Sequence, residues 1–362
     1  MKALVADRNL ASRLLNLARG GKTTFGPAGR VTDVPKPTIS ADEILVKVTA
    51  VALNPTDFKH LDIISPPGSI LGCDFAGEVV EVGANASKSW KVGDRAAGVV
   101  HGGLYPDRGS FAEYLRTDWD LAWHVPSEVS DADATTFGVS ATTAVLTLNL
   151  HLGLPWPGEA PPSPASSGEQ IFIYGGSTSA GLFHIQIAKA AGYTVVTTAS
   201  PHSHELVKSY GADAVFDYRS PSVAEDIVKE HPGISKAVDC YSEGKSTDIC
   251  GEVLRNKGGK VVTLLPSTGP KIPGVTYELV MAYTMMGRPF QWLAPIGPKY
   301  EAKPDDRKGL ARFYASLPGI VNAGTLRPIP VEVSDGGFED ILAGLNRLRE
   351  KKVSGKKLVV KF

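Results

Sequence analysis

The sequence predicts an α/β fold in two parts: a parallel sheet flanked by helices, and a second domain that is mostly β. Three observations carry that prediction. A chain of 362 residues exceeds the size at which one hydrophobic core stops growing. Its first third consists of short strands punctuated by Gly and Pro. From about Phe137 onward, apolar strands alternate with segments of helical period.

Taken in order, residues 43–53 alternate and then turn wholly apolar, residues 77–83 form a short strand between glycines, and residues 92–100 form another. Such strands suggest a compact, mostly antiparallel barrel or sandwich. Residues 140–148 have helix-compatible spacing. Beyond them, residues 170–174, 194–199, 214–217, 236–240 and 260–265 read as strands, and residues 180–191, 204–210 and 223–230 as helices. Short connections favour right-handed crossovers. Residues 155–168, rich in Pro, Ser and Gly, read as a surface loop. A helix near 307–323, a strand at 329–333, a helix at 338–350 and a strand at 357–362 finish the chain.

Composition excludes several classes. The 38 basic and 38 acidic side chains cancel, so there is no electrostatic footprint for nucleic acid or an anionic membrane. No apolar run is long enough to span a bilayer, and the first residues lack the pattern of a secretory leader. Three cysteines, Cys73, Cys240 and Cys250, with no close-spaced pair, fit a reducing compartment. A cytoplasmic location is the expectation.

The chemistry centres on residues 170–189, which read as strand, glycine turn and amphipathic helix. Gly175 and Gly176 let the backbone turn sharply, and the N–H groups and dipole at the start of the helix favour a diphosphate, as in a Rossmann nucleotide site. Ser177 and Ala180 stand where two further glycines of the usual motif would fall, so the turn by itself fits an ordinary strand-to-helix connection equally well. The flanking strands and helices favour the nucleotide. At the end of the second strand an NAD enzyme normally carries Asp or Glu for the ribose diol. Here stand Ala199 and Ser200, followed by Pro201, His202 and Ser203, whose donors suit a 2′-phosphate, so NADPH is the expected cofactor. His202 and His204 also read as solvated residues at a helix start. Tyr218 and Arg219, after the third strand, are placed to reach the same adenosine end.

Read together with Asn54-Pro55-Thr56-Asp57-Phe58-Lys59, Leu71-Gly72-Cys73-Asp74-Phe75-Ala76-Gly77, Val92-Gly93-Asp94-Arg95, Gly109-Ser110-Phe111-Ala112-Glu113-Tyr114, Phe216-Asp217-Tyr218-Arg219 and Ser354-Gly355-Lys356-Lys357-Leu358, these units resemble the medium-chain dehydrogenase/reductases over nearly the whole chain. The pattern is most similar to fungal trans-acting enoyl reductases that partner polyketide synthases, and to zinc-free NADPH aldehyde or quinone reductases. The resemblance implies a GroES-like catalytic domain from residues 1–135 and 300–362 clasping a Rossmann domain of residues 136–299, with substrate and nicotinamide meeting in the cleft. It further implies that Thr56, Asp57, Phe58 and Lys59 line the cofactor side. Ser177, Thr178, Ser179 and Ala180, Ser200 to Ser203 and Tyr218 would hold phosphate and ribose. Leu264, Leu265, Ser354 and Gly355 would lie near the nicotinamide. Thr142, Thr143 and Ala144, and Met286, Gly287, Arg288, Pro289 and Phe290, would face substrate.

Zinc members of this fold need two cysteines and a histidine, with a fourth position left open. The corresponding stretches, Asn54 to Asp57, Gly72-Cys73-Asp74 and Phe137-Gly138, offer only Cys73, so no metal is expected. Without a Lewis acid, reduction of an alkene conjugated to a carbonyl is the natural chemistry: hydride adds to the β-carbon, and donors stabilise the enolate. Lys59 and Thr143 are the candidate donors. Lys59 reads equally as a surface lysine beside Asp57, and Thr143 as a packed or N-capping threonine. An NADPH-binding protein without turnover is the non-enzymatic alternative. Gly175 to Ser179 lacks the closing glycine of a nucleophile elbow, which disfavours a hydrolase. His101 reads as a flexible loop residue beside the cleft, and Trp292 as pocket wall or core. Residues 275–286 read as an edge strand flanked by prolines, favouring a monomer over a homodimer.

Overall fold

The structure is a computed structural model that describes residues 1–20, 29–159, 168–267 and 269–362. Its chain gathers into two compact units. The first comprises Met1–Val139, Tyr283–Pro318 and Pro330–Phe362, and the second Ser140–Ala282 and Gly319–Ile329. Residues 283–299 thus fall with the first unit, and residues 319–329 with the second.

In the first unit, β1 (Lys2–Ala6) is followed by α1 (Leu10–Ala18), a helix absent from the strand-rich reading, and by β2 (Gly29–Asp33), which pairs antiparallel with β1. Asn9 caps α1 by accepting from the Ser12 amide at 2.9 Å, and its buried Arg13 and Asn16 donate to the carbonyls of residues 62–64. The long strand β3 (Glu43–Ala52) precedes the short helix α2 (Pro55–Lys59), with β4 (Asp74–Val82), β5 (Arg95–Val99), β6 (Tyr114–Asp118), β7 (Ala122–His124) and α3 (Asp131–Ala134) beyond it. One half of β3 pairs with β6, and register shifts along its ladder with β4 bend the sheet. Leu4, Ile44, Val46, Phe75 and Phe111 form the core inside it.

The second unit carries α4 (Val139–Val145), continued by a π-helical stretch to His151, then β8 (Gln170–Tyr174), α5 (Ser179–Ala190), β9 (Thr194–Thr198), α6 (His204–Ser209), β10 (Ala214–Phe216), α7 (Val223–Glu230), β11 (Lys236–Asp239), α8 (Ser246–Val253), β12 (Gly259–Thr263) and β13 (Val275–Leu279). All six strands are parallel, in the order β10-β9-β8-β11-β12-β13. The order reverses beside β8, which puts the carboxyl end of β8 at the switch point where such sheets bind ligands. Helix α8 lacks the apolar run that marks its neighbours and escapes the sequence reading. The strand expected over residues 275–286 ends at Leu279, and residues 282–286 form a 3₁₀ turn instead. Strand β13 is nonetheless the sheet's edge. Of the expected loop at 155–168, residues 160–167 lie outside the described residues.

The chain returns through β14 (Phe290–Gln291), β15 (Lys299–Tyr300), α9 (Pro304–Asn322), β16 (Val331–Ser334), α10 (Gly337–Arg349) and β17 (Lys357–Lys361). Strand β17 joins β16 to the other half of β3, so the last residues of the chain complete the first unit's sheet.

Candidate functional site

Gly175 sits at φ +78°, a conformation that costs a side chain about 1–2 kcal/mol. The turn is strapped to β9: the amide of Gly175 donates to Thr198 Oγ1 at 3.1 Å, and that of Gly176 to the Thr198 carbonyl at 2.9 Å. A Cβ on Gly176 would stand 2.2 Å from Thr197 Oγ1, and one on Gly181 would stand 2.3 Å from the Gly175 carbonyl oxygen. The glycine that lets helix and turn close together is therefore Gly181, one place beyond Ala180. The motif has the spacing Gly-Gly-x-x-x-x-Gly, which matching to the standard pattern does not find.

Thr178 caps α5. Its hydroxyl donates to the Gly175 carbonyl at 2.8 Å and accepts from the Gly181 amide at 2.9 Å. Ser177, Thr178, Ser179 and Ala180 are half-buried, and the first turn of α5 holds no acidic residue. The first amides of a helix have no carbonyl one turn back. This end is thus a set of donors under a positive dipole with no carboxylate to repel an anion, and it fits a diphosphate.

At the end of β9, Ala199 is buried and Ser200 half-buried, and Pro201–Ser203 forms a 3₁₀ turn with His202 exposed. Ser203 is buried beneath this turn, its amide bonded to the Ser200 carbonyl at 2.8 Å. Ser200 and His202 are the accessible donors here. His204 Nε2 stands 3.3 Å from the Ala199 carbonyl, so it is no free solvated group. Asp217, beyond the neighbouring strand β10, is held by Arg219 at 3.1 Å, which keeps its carboxyl below the ordinary range. The Arg219 guanidinium also lies over the exposed Tyr218 ring.

Leu264 and Leu265 follow β12, half-buried, with the Leu264 amide donating to Ser242 Oγ at 2.9 Å. That loop is organised by Asp239, a fully buried carboxylate at the end of β11. It accepts from the Ser242 amide and from the hydroxyls of Ser246 and Thr247 at 2.7–2.8 Å. Nothing in the local sequence marks Asp239. Thr142, Thr143 and Ala144 are buried in α4. Burial pushes His184 down to about 4, so its ring is neutral. Its Nδ1–H donates to the Ala180 carbonyl at 2.7 Å, and Nε2 accepts from the Thr147 hydroxyl at 2.7 Å, which ties the helical segment bearing Thr143 to the start of α5.

In the first unit, Pro55 opens α2 and the buried Asp57 accepts from the Asn54 amide at 2.7 Å. Asn54 in turn donates to Asp74 Oδ2 at 2.9 Å, and Lys357 of β17 pairs with the same carboxylate at 3.0 Å. Asp74 Oδ1 accepts from the Val139 amide. Desolvation, reinforced by Asp74, pushes Asp57 up to about 7. Phe58 and Lys59 are half-buried. Thr56 Oγ1 meets Tyr283 Oη at 2.8 Å, and Cys73 Sγ lies 3.4 Å from the same oxygen. His101, expected as a flexible loop residue, is instead buried and stacked on the Tyr283 ring at 3.8 Å, because an imidazole held neutral packs well against an aromatic face. Trp292 packs edge-on against Tyr283 and His60.

Met286 ends the 3₁₀ turn, Gly287 turns at φ +67°, Arg288 pairs with Asp118 at 2.7 Å, Pro289 is exposed, and Phe290 stacks on Tyr300 at 4.7 Å. A small open pocket is bordered by His101, Tyr105, Arg108, Asp118, Met286 and Arg288. Ser354 and Gly355, at φ +68°, form the turn before β17. Among the described residues no three of His, Cys, Asp and Glu come together as a metal-binding group, and no helix is long and apolar enough to cross a membrane.

The chain matches the alcohol dehydrogenase GroES-like domain over residues 40–127 and the zinc-binding dehydrogenase family over residues 180–283. It is 39% identical to a trans-enoyl reductase of Macrophomina phaseolina, across 93% of this chain and 96% of that one. It is 36% identical to a trans-enoyl reductase of Gibberella zeae, across 90% and 91%. The crystal structure of the CurK enoyl reductase superposes with a TM-score of 0.71 at 20% identity, covering 99% of both chains. At that identity the likeness is one of fold.

Proposed function

We propose, from the premise that the chain belongs to the medium-chain dehydrogenase/reductase superfamily and stands among its trans-enoyl reductases, that it uses NADPH to reduce the α,β double bond of an unsaturated carbonyl. The observation that carries the cofactor is the end of β8. A glycine turn leads into a helix start made only of donors, and Ala199-Ser200 stands where a ribose-binding carboxylate would favour NADH. When bound, the dihydronicotinamide supplies a hydride equivalent.

The chain's own residues do the rest. The amides and hydroxyls of Ser177, Ser179 and Ala180 hold the diphosphate, and Ser200 and His202 donate to the 2′-phosphate. Thr56 to Lys59, Leu264, Leu265, Ser354 and Gly355 form the nicotinamide surroundings, and Lys59 and Thr143 donate to the carbonyl oxygen as negative charge gathers there. Thr142 to Ala144 and Met286 to Phe290 contact the substrate. No metal enters this scheme. The names of the relatives support an acyl chain carried by a polyketide synthase as substrate and partner.

Reduction of an enoyl thioester with NADPH stereospecifically deuterated at the transferred position tests the reading. Deuterium is expected at the β-carbon. Deuterium at the carbonyl carbon of an aldehyde would make the protein an aldehyde reductase instead, and tight NADPH binding with no turnover on enoyl, aldehyde or quinone substrates would mark a binding protein.

A further inference from the structure

Lys59, proposed above to donate to the carbonyl oxygen, is the last residue of α2, a helix of only five residues. So short a helix is not stable by itself, and the place of its side chains is set by what anchors its two ends. The first anchor is a buried ion pair. Asp74 is fully buried and Lys357 is 2% exposed, with the ammonium 3.0 Å from Asp74 Oδ2. Both partners reach Asn54, the residue that precedes α2: Asn54 Nδ2 donates to Asp74 Oδ2 at 2.9 Å, and Asn54 Oδ1 accepts from Lys357. The Asn54 amide in turn donates to Asp57 Oδ2 at 2.7 Å, inside the helix. Asp74 Oδ1 is taken by the Val139 amide at 2.7 Å, and a Cβ on Gly138 would stand 2.2 Å from it, so the carboxylate is confined. The second anchor follows the helix. Buried Asp62 is held by Arg349 of α10 at 2.8 and 3.0 Å, and the same guanidinium lies over the Phe58 ring. A Cβ on Gly344 of α10 would stand 2.3 Å from Leu53 Cδ1, so α10 lies close against the approach to α2.

We propose that Asp74, neutralised by Lys357, is a positioning residue of the reaction: through Asn54 it fixes α2 and so directs Lys59. The proposal rests on the enoyl reductase reading above, in which Lys59 meets the negative charge that gathers on the carbonyl oxygen. Lys357 carries half of the role, because without its ammonium Asp74 would be a buried and unpaired carboxylate.

Stability alone does not account for the pair. Two charges taken out of water lose in hydration much of what they regain from each other, and apolar residues of the same volume often serve stability as well or better. What the pair and its hydrogen bonds supply, and apolar contact lacks, is direction: each donor and acceptor fixes a distance and an angle. Direction matters where a donor must meet a reacting atom, since a misplacement of about 1 Å costs about a hundredfold in rate. Both anchors of α2 come from the last segment of the chain, α10 and β17, which lies nearly three hundred positions away from it in sequence.

Asp74→Asn keeps the shape and an oxygen for the Val139 amide and removes the charge. With an enoyl thioester as substrate it is expected to lower kcat about ten- to a hundredfold, with the KM for NADPH little changed. Lys357→Met leaves Asp74 unpaired and is expected to lower the denaturant midpoint as well as kcat. The double variant Asp74→Asn/Lys357→Met is neutral again and is expected to regain the midpoint but not kcat, whereas a pair that only stabilised the fold would regain both. Substitution of Asp74 in a chain that already carries Lys59→Met reads the coupling. With its target gone, Asp74→Asn is expected to cost less than about threefold more, because residues that act as one unit do not lose their effects independently. Wild-type kcat in the double variant, or the same fold loss from Asp74→Asn with and without Lys59, would overturn the proposal. Deuterium delivered to the β-carbon by each variant keeps the enoyl reading apart from either result. Delivery to a carbonyl carbon by the wild type would instead remove the premise.

Discussion

The sharpest perturbation of the proposed nucleotide site is one methyl group, Gly181→Ala. The backbone of Gly181 is an ordinary helical one, so the substitution carries no left-handed strain, and helix propensity alone favours alanine by about 1 kcal/mol. The difficulty is space. The new Cβ would lie 2.3 Å from the Gly175 carbonyl oxygen and 2.7 Å from Gly176 Cα, whereas ordinary contact begins at 3.4 Å. Both obstacles are backbone, held by the bonds to Thr198, so α5 must retreat by about 1 Å and carry its first amides with it. Overpacking of this kind costs about 1–3 kcal/mol. Set against the gain in propensity, the net loss of stability is about 0–2 kcal/mol. A displacement of about 1 Å in positioned groups lowers their effect about a hundredfold, and NADPH affinity is expected to fall by a similar factor. The assay is titration of NADPH fluorescence alongside denaturant unfolding, with Gly319→Ala as control. Gly319 lies in α9 with no atom within 4 Å of the place a Cβ would take, so that variant is expected to bind normally. NADPH affinity in Gly181→Ala equal to that of the control would refute the assignment of this turn.

Further outcomes follow from the same geometry. Ser200→Asp places a carboxylate where the 2′-phosphate is proposed to lie and is expected to shift preference toward NADH by about tenfold or more, roughly the 1.4 kcal/mol of one unfavourable contact; unchanged preference would undo the reading of that turn. Lys59→Met and Thr143→Val are each expected to lower kcat by about ten- to a thousandfold, the range for one lost donor to a developing oxyanion, with deuterium still delivered to the β-carbon. Three buried imidazoles are depressed from 6.5 by desolvation, His60 and His184 to about 4 and His101 well below its ordinary value. They stay neutral in the folded chain and take up protons on unfolding, so their contribution is complete above pH 6.5 and is lost as pH falls toward 4. Asp57, raised to about 7, works in the opposite sense over this range, binding its proton in the folded state. The net uptake on unfolding at pH 5–6 is about two protons, a loss of about 2–3 kcal/mol per pH unit. Unfolding midpoints that stay level between pH 6.5 and 5 would contradict it. Chelator treatment is expected to leave turnover unchanged.

Much of the second unit is legible because its signals are local. A strand, a turn and a helix declare themselves through periods of two and 3.6 within about twenty residues, and β8 to α5 carries all three. Helices α1 and α8 escape because each is short and polar on much of its surface, so that tertiary packing and buried side-chain bonds stabilise them more than pattern does. His101 is misread for the same reason. A histidine between glycines reads as loop, and only the Tyr283 ring folded over it makes it core.

The sequence by itself determined the two-part α/β architecture, the glycine turn between β8 and α5, and the residue types that stand at Ala199-Ser200 and at Asn54 to Asp57, Gly72 to Asp74 and Phe137-Gly138, since each is a matter of which residue types stand near one another along the chain. Tertiary structure alone decided which glycine closes the turn, which donors remain accessible at Ser200 and His202, and which polar groups share a buried site. Tyr283 reaches Thr56 across 227 positions, and Lys357 reaches Asn54 across 303. Whether a buried hydroxyl, thiol or carboxyl is inert or poised depends on the desolvation and the partners that such distant segments bring, and one-dimensional order carries no record of either.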